Sequence, residues 1–297
     1  MARSDLANLA ALVTLGLLTA LMLPLADQGR QMGLTPVGYA FAQLGGAGLV
    51  LLALARRRGT RLPFSAAHLR YYAVSGVTGL AVPNVTVFML VERVGPSMVA
   101  LLYTLPPVIT YALALSVGQE RWHPLRGAGL VLGLAAGAVL VTRGGGGLSG
   151  QGAPWMALGL LVPLSLATGN VYRSAAWPPD TDRLALAAGM LLGGAASLLP
   201  VLGLLGGWGA VPAPGVLGPI LAAQVAATAL TYPVFFALQQ RGGPVYISHL
   251  GLTIAVAGVL IGALFYGERP GPVVWLAAIA AAAGTVLANR RPGRRKT

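Results

Sequence analysis

The sequence predicts an all-α integral membrane protein: ten transmembrane helices in two inverted five-helix repeats, with both termini cytoplasmic. Three observations carry this. Of the 297 residues, 56% are hydrophobic and only 9% are charged, whereas soluble domains carry roughly 25% charged residues, so a water-facing surface cannot be assembled from this composition. The apolar residues fall into ten runs, each close to the ~20 residues that cross a bilayer as a helix. The second half of the chain also repeats the first at an offset of 148 residues.

The runs cover 6–26, 36–55, 69–91, 96–118, 124–142, 154–172, 184–206, 216–239, 244–266 and 272–289. The first is longer than a signal-peptide core of roughly 7–15 residues and is followed by no small-x-small cleavage site, so it reads as a retained span. The gaps hold most of the charge. With the N-terminus cytoplasmic, 16 of the 20 basic residues face the cytoplasm, among them Arg56, Arg57, Arg58, Arg121, Arg173 and Arg241. Only Arg30, Arg93, Arg143 and Arg269 face the other side. This positive-inside bias requires an even number of spans. The net charge of +13 is therefore mostly topology, and no nucleic-acid partner is expected. Membrane lipids are expected partners of the basic tail, 291–297. With no cysteine there is no disulfide, thiol nucleophile or Cys-based metal site.

The repeat pairs Phe88 with Phe236, Leu90 with Leu238, Arg93 with Arg241, Gly95 with Gly243 and Pro96 with Pro244. In the same register Glu120 and Arg121 meet Glu268 and Arg269, and after one residue of slippage 135–140 matches 282–287. The units are residues 1–143 and 154–290, joined by a Gly-rich linker at 144–153 and followed by the basic tail at 291–297. Five spans per unit is odd, so the second unit is upside down relative to the first. Inverted repeats place a binding site at their interface near the bilayer midplane.

Polar side chains in hydrocarbon are either satisfied by neighbours or face a wet cavity. Asn84 follows Pro83 in the third run, and at the repeat offset Tyr232 precedes Pro233. Each is a hydrogen-bonding group beside a proline break, read as facing substrate contacts or as bonded kinks. In the fourth run Tyr103, Pro107 and Tyr111 recur every four residues on one face, beside Thr104. That face suits an amphipathic organic solute, with an aromatic core stripe as the plainer reading of Tyr111. Pro106 and Pro107 near mid-helix read as a hinge, as do Pro83 and Pro233. Asn170 reads as a cavity residue, with Arg173 at the headgroups. His249, next to Ser248 and close to Thr253, is the one histidine within a run; His68 and His123 fall in loops. It suits proton coupling or substrate contact, or a neutral interfacial bond. No acid lies mid-span: Asp27, Glu92, Glu120 and Glu268 sit at helix ends and read as interface anchors or as partners of Arg93, Arg121 and Arg269. Asp27 and Glu92 are the remaining candidates for proton coupling, and uncoupled movement is favoured. Gly129, Gly133 and Gly137 form a small-residue ladder for close packing within the monomer, with a homodimer interface as the second reading. No cofactor and no metal site is expected; the glycines at 144–147 lack the Lys-Ser/Thr of a phosphate loop.

Each half has a Gly-Pro opening its fourth helix and a glycine and glutamate closing it, and the second half carries the better copy, residues 260–270. In these features the chain resembles the EamA-type members of the drug/metabolite transporter superfamily. The resemblance implies a ten-helix bundle with a central cavity lined by helices 1, 3, 4, 6, 8 and 9, and helices 5 and 10 outside. It implies a carrier of small organic solutes such as amino acids, commonly an exporter, in a bacterial-type inner membrane. The chain departs from the family pattern in its first helix and at Gln43, where an arginine is often found. The alternatives are a proton-coupled multidrug or cation exporter and a non-transporting membrane scaffold. An enzyme is not expected, since His-Glu-x-x-His, Gly-x-Ser-x-Gly and a mid-span acid pair are all absent.

Overall fold

A computed structural model of the chain describes residues 3–143, 152–204, 207, 214–248 and 250–288. His249, most of the expected linker at 144–153 and the basic tail lie outside the described residues. The first half comprises α1 (Arg3–Gln31), α2 (Pro36–Arg57), α3 (Ala66–Gly76), a π-helical turn at Val77–Ala81, α4 (Val82–Leu102), α5 (Pro106–Ser116) and α6 (Pro124–Arg143). The second comprises α7 (Gly152–Gly159), α8 (Leu161–Ala175), α9 (Arg183–Leu204), α10 (Pro214–Ser248), α11 (Leu250–Tyr266) and α12 (Pro272–Ala288). The protein is all-helical and spans the membrane ten times. Among the described residues six stretches are long and apolar enough to cross a bilayer, and four shorter apolar helices complete the ten.

Local sequence fixes the ends. Thr35 caps α2 by accepting from the Gly38 amide at 3.0 Å, ahead of Pro36, where a missing N–H is harmless. Asp182 Oδ1 accepts from the Leu184 and Ala185 amides at the start of α9. Proline breaks the sixth span into α7 and α8: Pro163 cannot donate to Gly159, and Leu160 turns back onto Ala157. His68, expected in a loop, instead lies in the first turn of α3, bonded to Ser65 and Thr181.

The third and fourth spans are not separated by a loop. Helix α4 runs through the reversal, and Gly95 alone leaves helical geometry, at φ 82° and ψ 158°. That left-handed φ is open to glycine without strain. Likewise the eighth span and the start of the ninth are one element, α10, through Pro244.

Helix α2 packs along α9, and α6 along α12. Helix α1 lies against α10 and α11, as α8 lies against α4 and α5, so exchanging the halves exchanges the contacts. With five crossings in each, the halves run in opposite directions. The glycine ladder is consumed within the chain: Gly133 faces Val108, Gly137 faces Leu105, and Gly284 of α12 seats against Gly129 and Gly133. Outward faces carry Leu49, Val131, Leu204, Leu264, Phe265 and Leu276, an apolar surface suited to lipid.

Candidate substrate site

A cavity of about 80 Å³ lies between the halves. The first half contributes Thr19 and Met22 from α1, Gln43 from α2, Gly79, Pro83 and Asn84 from the third span, and Tyr103 and Pro106 from the fourth. The second contributes Leu166 and Asn170 from α8, Thr231, Tyr232 and Phe235 from α10, and Ile247, Leu250, Gly251 and Ile254 from the ninth span. The wall is apolar over most of its area and, among the described residues, holds no acid and no lysine or arginine. Asn84, Tyr103, Asn170 and Tyr232 thus meet around one space, as do Pro83 and Pro106.

Two backbone breaks shape it. In the third span the Val82 amide bonds the Val77 carbonyl five residues back. Carrying that register one step further needs a donor at position 83, and Pro83 has none. Ser165 of α8 supplies it, donating its hydroxyl to the Thr78 carbonyl at 2.6 Å. In the fourth span the chain tightens into i→i−3 bonds at Tyr103, Thr104 and Leu105. Helix α5 then restarts with Pro106 and Pro107 in its first turn. The prolines therefore open a helix and do not interrupt one. The Tyr103 carbonyl, with no donor at Pro107, comes up against Gly251, where any Cβ would collide with it. The Thr104 carbonyl accepts from Thr285 Oγ1 of α12 at 3.2 Å.

Polar groups on the wall are only partly satisfied. Gln43 Nε2 donates to Thr228 Oγ1 at 3.0 Å, but its Oε1 is buried without a partner. Asn84 Nδ2 is also buried and unpaired. Asn170 Oδ1 accepts from Arg173 Nη2 at 2.5 Å. Arg173, expected at the headgroups, is 1% exposed and lies behind the wall. Its helix packs on α3 and α10, Met190 of α9 lies 4.0 Å from Nη1, and its guanidinium stacks 5.2 Å from the centre of the Phe235 ring.

Two copies of one family model match the chain, over residues 6–143 and 153–290, and its description is EamA-like transporter family. The chain belongs to the EamA-like transporter family. As a member it falls within the drug/metabolite transporter superfamily and is a transporter, not an enzyme. No curated protein sequence matches the chain. A solved crystal structure shares its fold, with a TM-score of 0.63 and 19% identity over 96% of each chain.

Other expected site residues of this EamA-like transporter lie outside the cavity. Thr104 is buried, its hydroxyl spent on Leu101. Tyr111 is buried at the far end of α5, donating to the Arg121 carbonyl and accepting from the His123 amide, both at 3.3 Å. The Arg126 guanidinium covers its ring. Thr253 ties α11 to α1 through the Leu12 carbonyl at 3.2 Å. Pro107 is buried in the first turn of α5, and Pro233 is half-buried within α10.

Among the described residues none of the acids forms an ion pair with Arg93, Arg121 or Arg269. Asp27 accepts from Arg30 and Gln31, and Glu92 lies 3.6 Å from the same Arg30. Glu120 binds Arg126 at 2.6 Å, not Arg121. Glu268 accepts from the Ser97 amide at 2.9 Å, closing the turn beside Gly95. Arg93 stacks on Trp155 instead of an acid. Thr19, Met22, Gln43, Thr231 and Arg173 were not singled out as site residues from sequence. For three of them the sequence holds a signal: Thr19 and Met22 share a helix face, and Gln43 is an amide inside an apolar run.

Proposed function

We propose that the protein is a secondary carrier moving a small organic metabolite, an amino acid or a similar amphipathic solute, by alternating access and in the export direction. The observation that carries this is the cavity between inverted halves, apolar over most of its wall yet holding unspent polar atoms on Gln43 and Asn84. Asn84, Tyr103, Asn170 and Tyr232 are the proposed substrate contacts. The breaks at Pro83 and at Pro106 and Pro107 are the proposed hinges, with residues 144–153 linking the halves. The 16-to-4 distribution of basic residues supports cytoplasmic termini, and the family supports a bacterial-type inner membrane.

Uncoupled movement fits the acids best, because Asp27 and Glu92 share Arg30 at a helix end away from the cavity. The test is flux of a mixture of amino acids in proteoliposomes, with and without a pH gradient. Gradient-independent flux of one class supports the reading, and flux that appears only with the gradient makes it a proton-coupled carrier. Equal rates in protein-free vesicles would refute transport of these solutes.

A further inference from the structure

Arg173 is a buried cation with no acid. Among the described residues the ion pairs are Asp27–Arg30, Glu92–Arg30 and Glu120–Arg126, and none includes it. A guanidinium has five N–H donors. Nε donates to Gln239 Oε1 at 3.0 Å and Nη2 to Asn170 Oδ1 at 2.5 Å. Among the described residues Nη1 meets only the Met190 sulfur, at 4.0 Å. All these partners are neutral, and an uncompensated buried charge is strongly unfavourable in a low-dielectric interior.

Nη1, the nitrogen with no oxygen partner, lies against a residue of the cavity wall. Nη1 sits against Gly79 and Gly169, where a Cβ on Gly79 would collide with it, and Gly79 is itself part of the cavity wall. Asn170 and Phe235, which hold the guanidinium from the other sides, also line the cavity. A positive charge therefore stands one layer behind a wall that contains no acid among the described residues, with no side chain at Gly79.

We infer that Arg173 is the anion-recognising residue of this cavity and that the transported solute carries a carboxylate on an apolar body. The planar fork of a guanidinium matches a two-oxygen anion better than a spherical one, and the apolar wall excludes a bare inorganic ion as the fitting cargo. The same charge repels a cationic solute that lacks a carboxylate. The inference rests on the carrier reading and adds the charge of the cargo to it.

The test uses the full-length protein in proteoliposomes, with leucine, 4-methylpentanoate, leucinamide and isoamylamine as probes. These keep one apolar body and vary only its charged groups. Leucine or 4-methylpentanoate is expected to cross at least tenfold faster than leucinamide and isoamylamine. Gln239→Glu sets an internal carboxylate on Arg173 Nε without emptying the space. It is expected to weaken thermal stabilisation by the carboxylate probes at least tenfold and to leave leucinamide unaffected. Flux of leucinamide or isoamylamine equal to that of the acids, or undiminished carboxylate binding in Gln239→Glu, overturns the inference and leaves the carrier standing. No flux of any probe above protein-free vesicles overturns both.

Discussion

Ser165 donates its hydroxyl to the Thr78 carbonyl at 2.6 Å, supplying from the second half the hydrogen bond that Pro83 removes from the first. In hydrocarbon a bare carbonyl has no water to turn to. Ser165→Ala is therefore expected to lower stability by about 1 kcal/mol, in the range of a lost buried hydrogen bond. The measurement is thermal unfolding in detergent, and an unchanged midpoint would contradict this account of the break.

Asn84 and Tyr232 face the cavity from opposite halves. Asn84→Ala and Tyr232→Ala are each expected to cut initial flux about tenfold, the scale of one lost hydrogen bond, with expression close to normal. Normal flux in both would remove them from the site.

Gly284 seats its backbone on Gly129 and Gly133, where an added Cβ would come within 2.8 Å of main-chain atoms. Gly284→Ala must part α6 from α12, at a cost of about 1–3 kcal/mol. Gly203→Ala is the matched control, since nothing lies within 4 Å of its added Cβ. Equal unfolding temperatures for the two variants would show that this contact is loose.

Glu92 and Asp27 are held by Arg30 outside the cavity. Glu92→Gln is expected to leave flux within about twofold and the response to a pH gradient unchanged, because an exposed ion pair contributes roughly 0–1 kcal/mol. A variant that loses gradient dependence would place this cluster in the coupling mechanism.

The arginines at 56–58 follow the second span. Replacing Arg56, Arg57 and Arg58 with Ala is expected to invert part of the population, read by reporter fusions at the C-terminus, while substrate affinity in the correctly inserted fraction stays the same.

The spans were legible because bilayer thickness dictates their length, and the halves because Phe88, Arg93 and Pro96 recur in register. The site was only partly legible. Placing Tyr103 and Tyr111 on one face assumes an unbroken helix, and the turn at Tyr103, Thr104 and Leu105 resets the phase, so Tyr111 packs against the Arg121–His123 segment instead. Arg173 sits near a helix end, where sequence favours the headgroups. Only the covering by α3 and α10, with Met190 of α9 against the guanidinium, takes it inside, and that is a tertiary fact. The pairing of Glu120 with Arg126 in place of Arg121 is likewise set by how the chain turns into α6.

The repairs of the two breaks that shape the cavity come from the other half, Ser165 for Thr78 and Thr285 for Thr104. This has a consequence for biogenesis. The third span is synthesised more than 80 residues before Ser165 leaves the ribosome, and Thr104 precedes Thr285 by 181 residues. During that interval the two carbonyls lack the partners they have in the folded protein. An N-terminal half expressed by itself therefore lacks both donors.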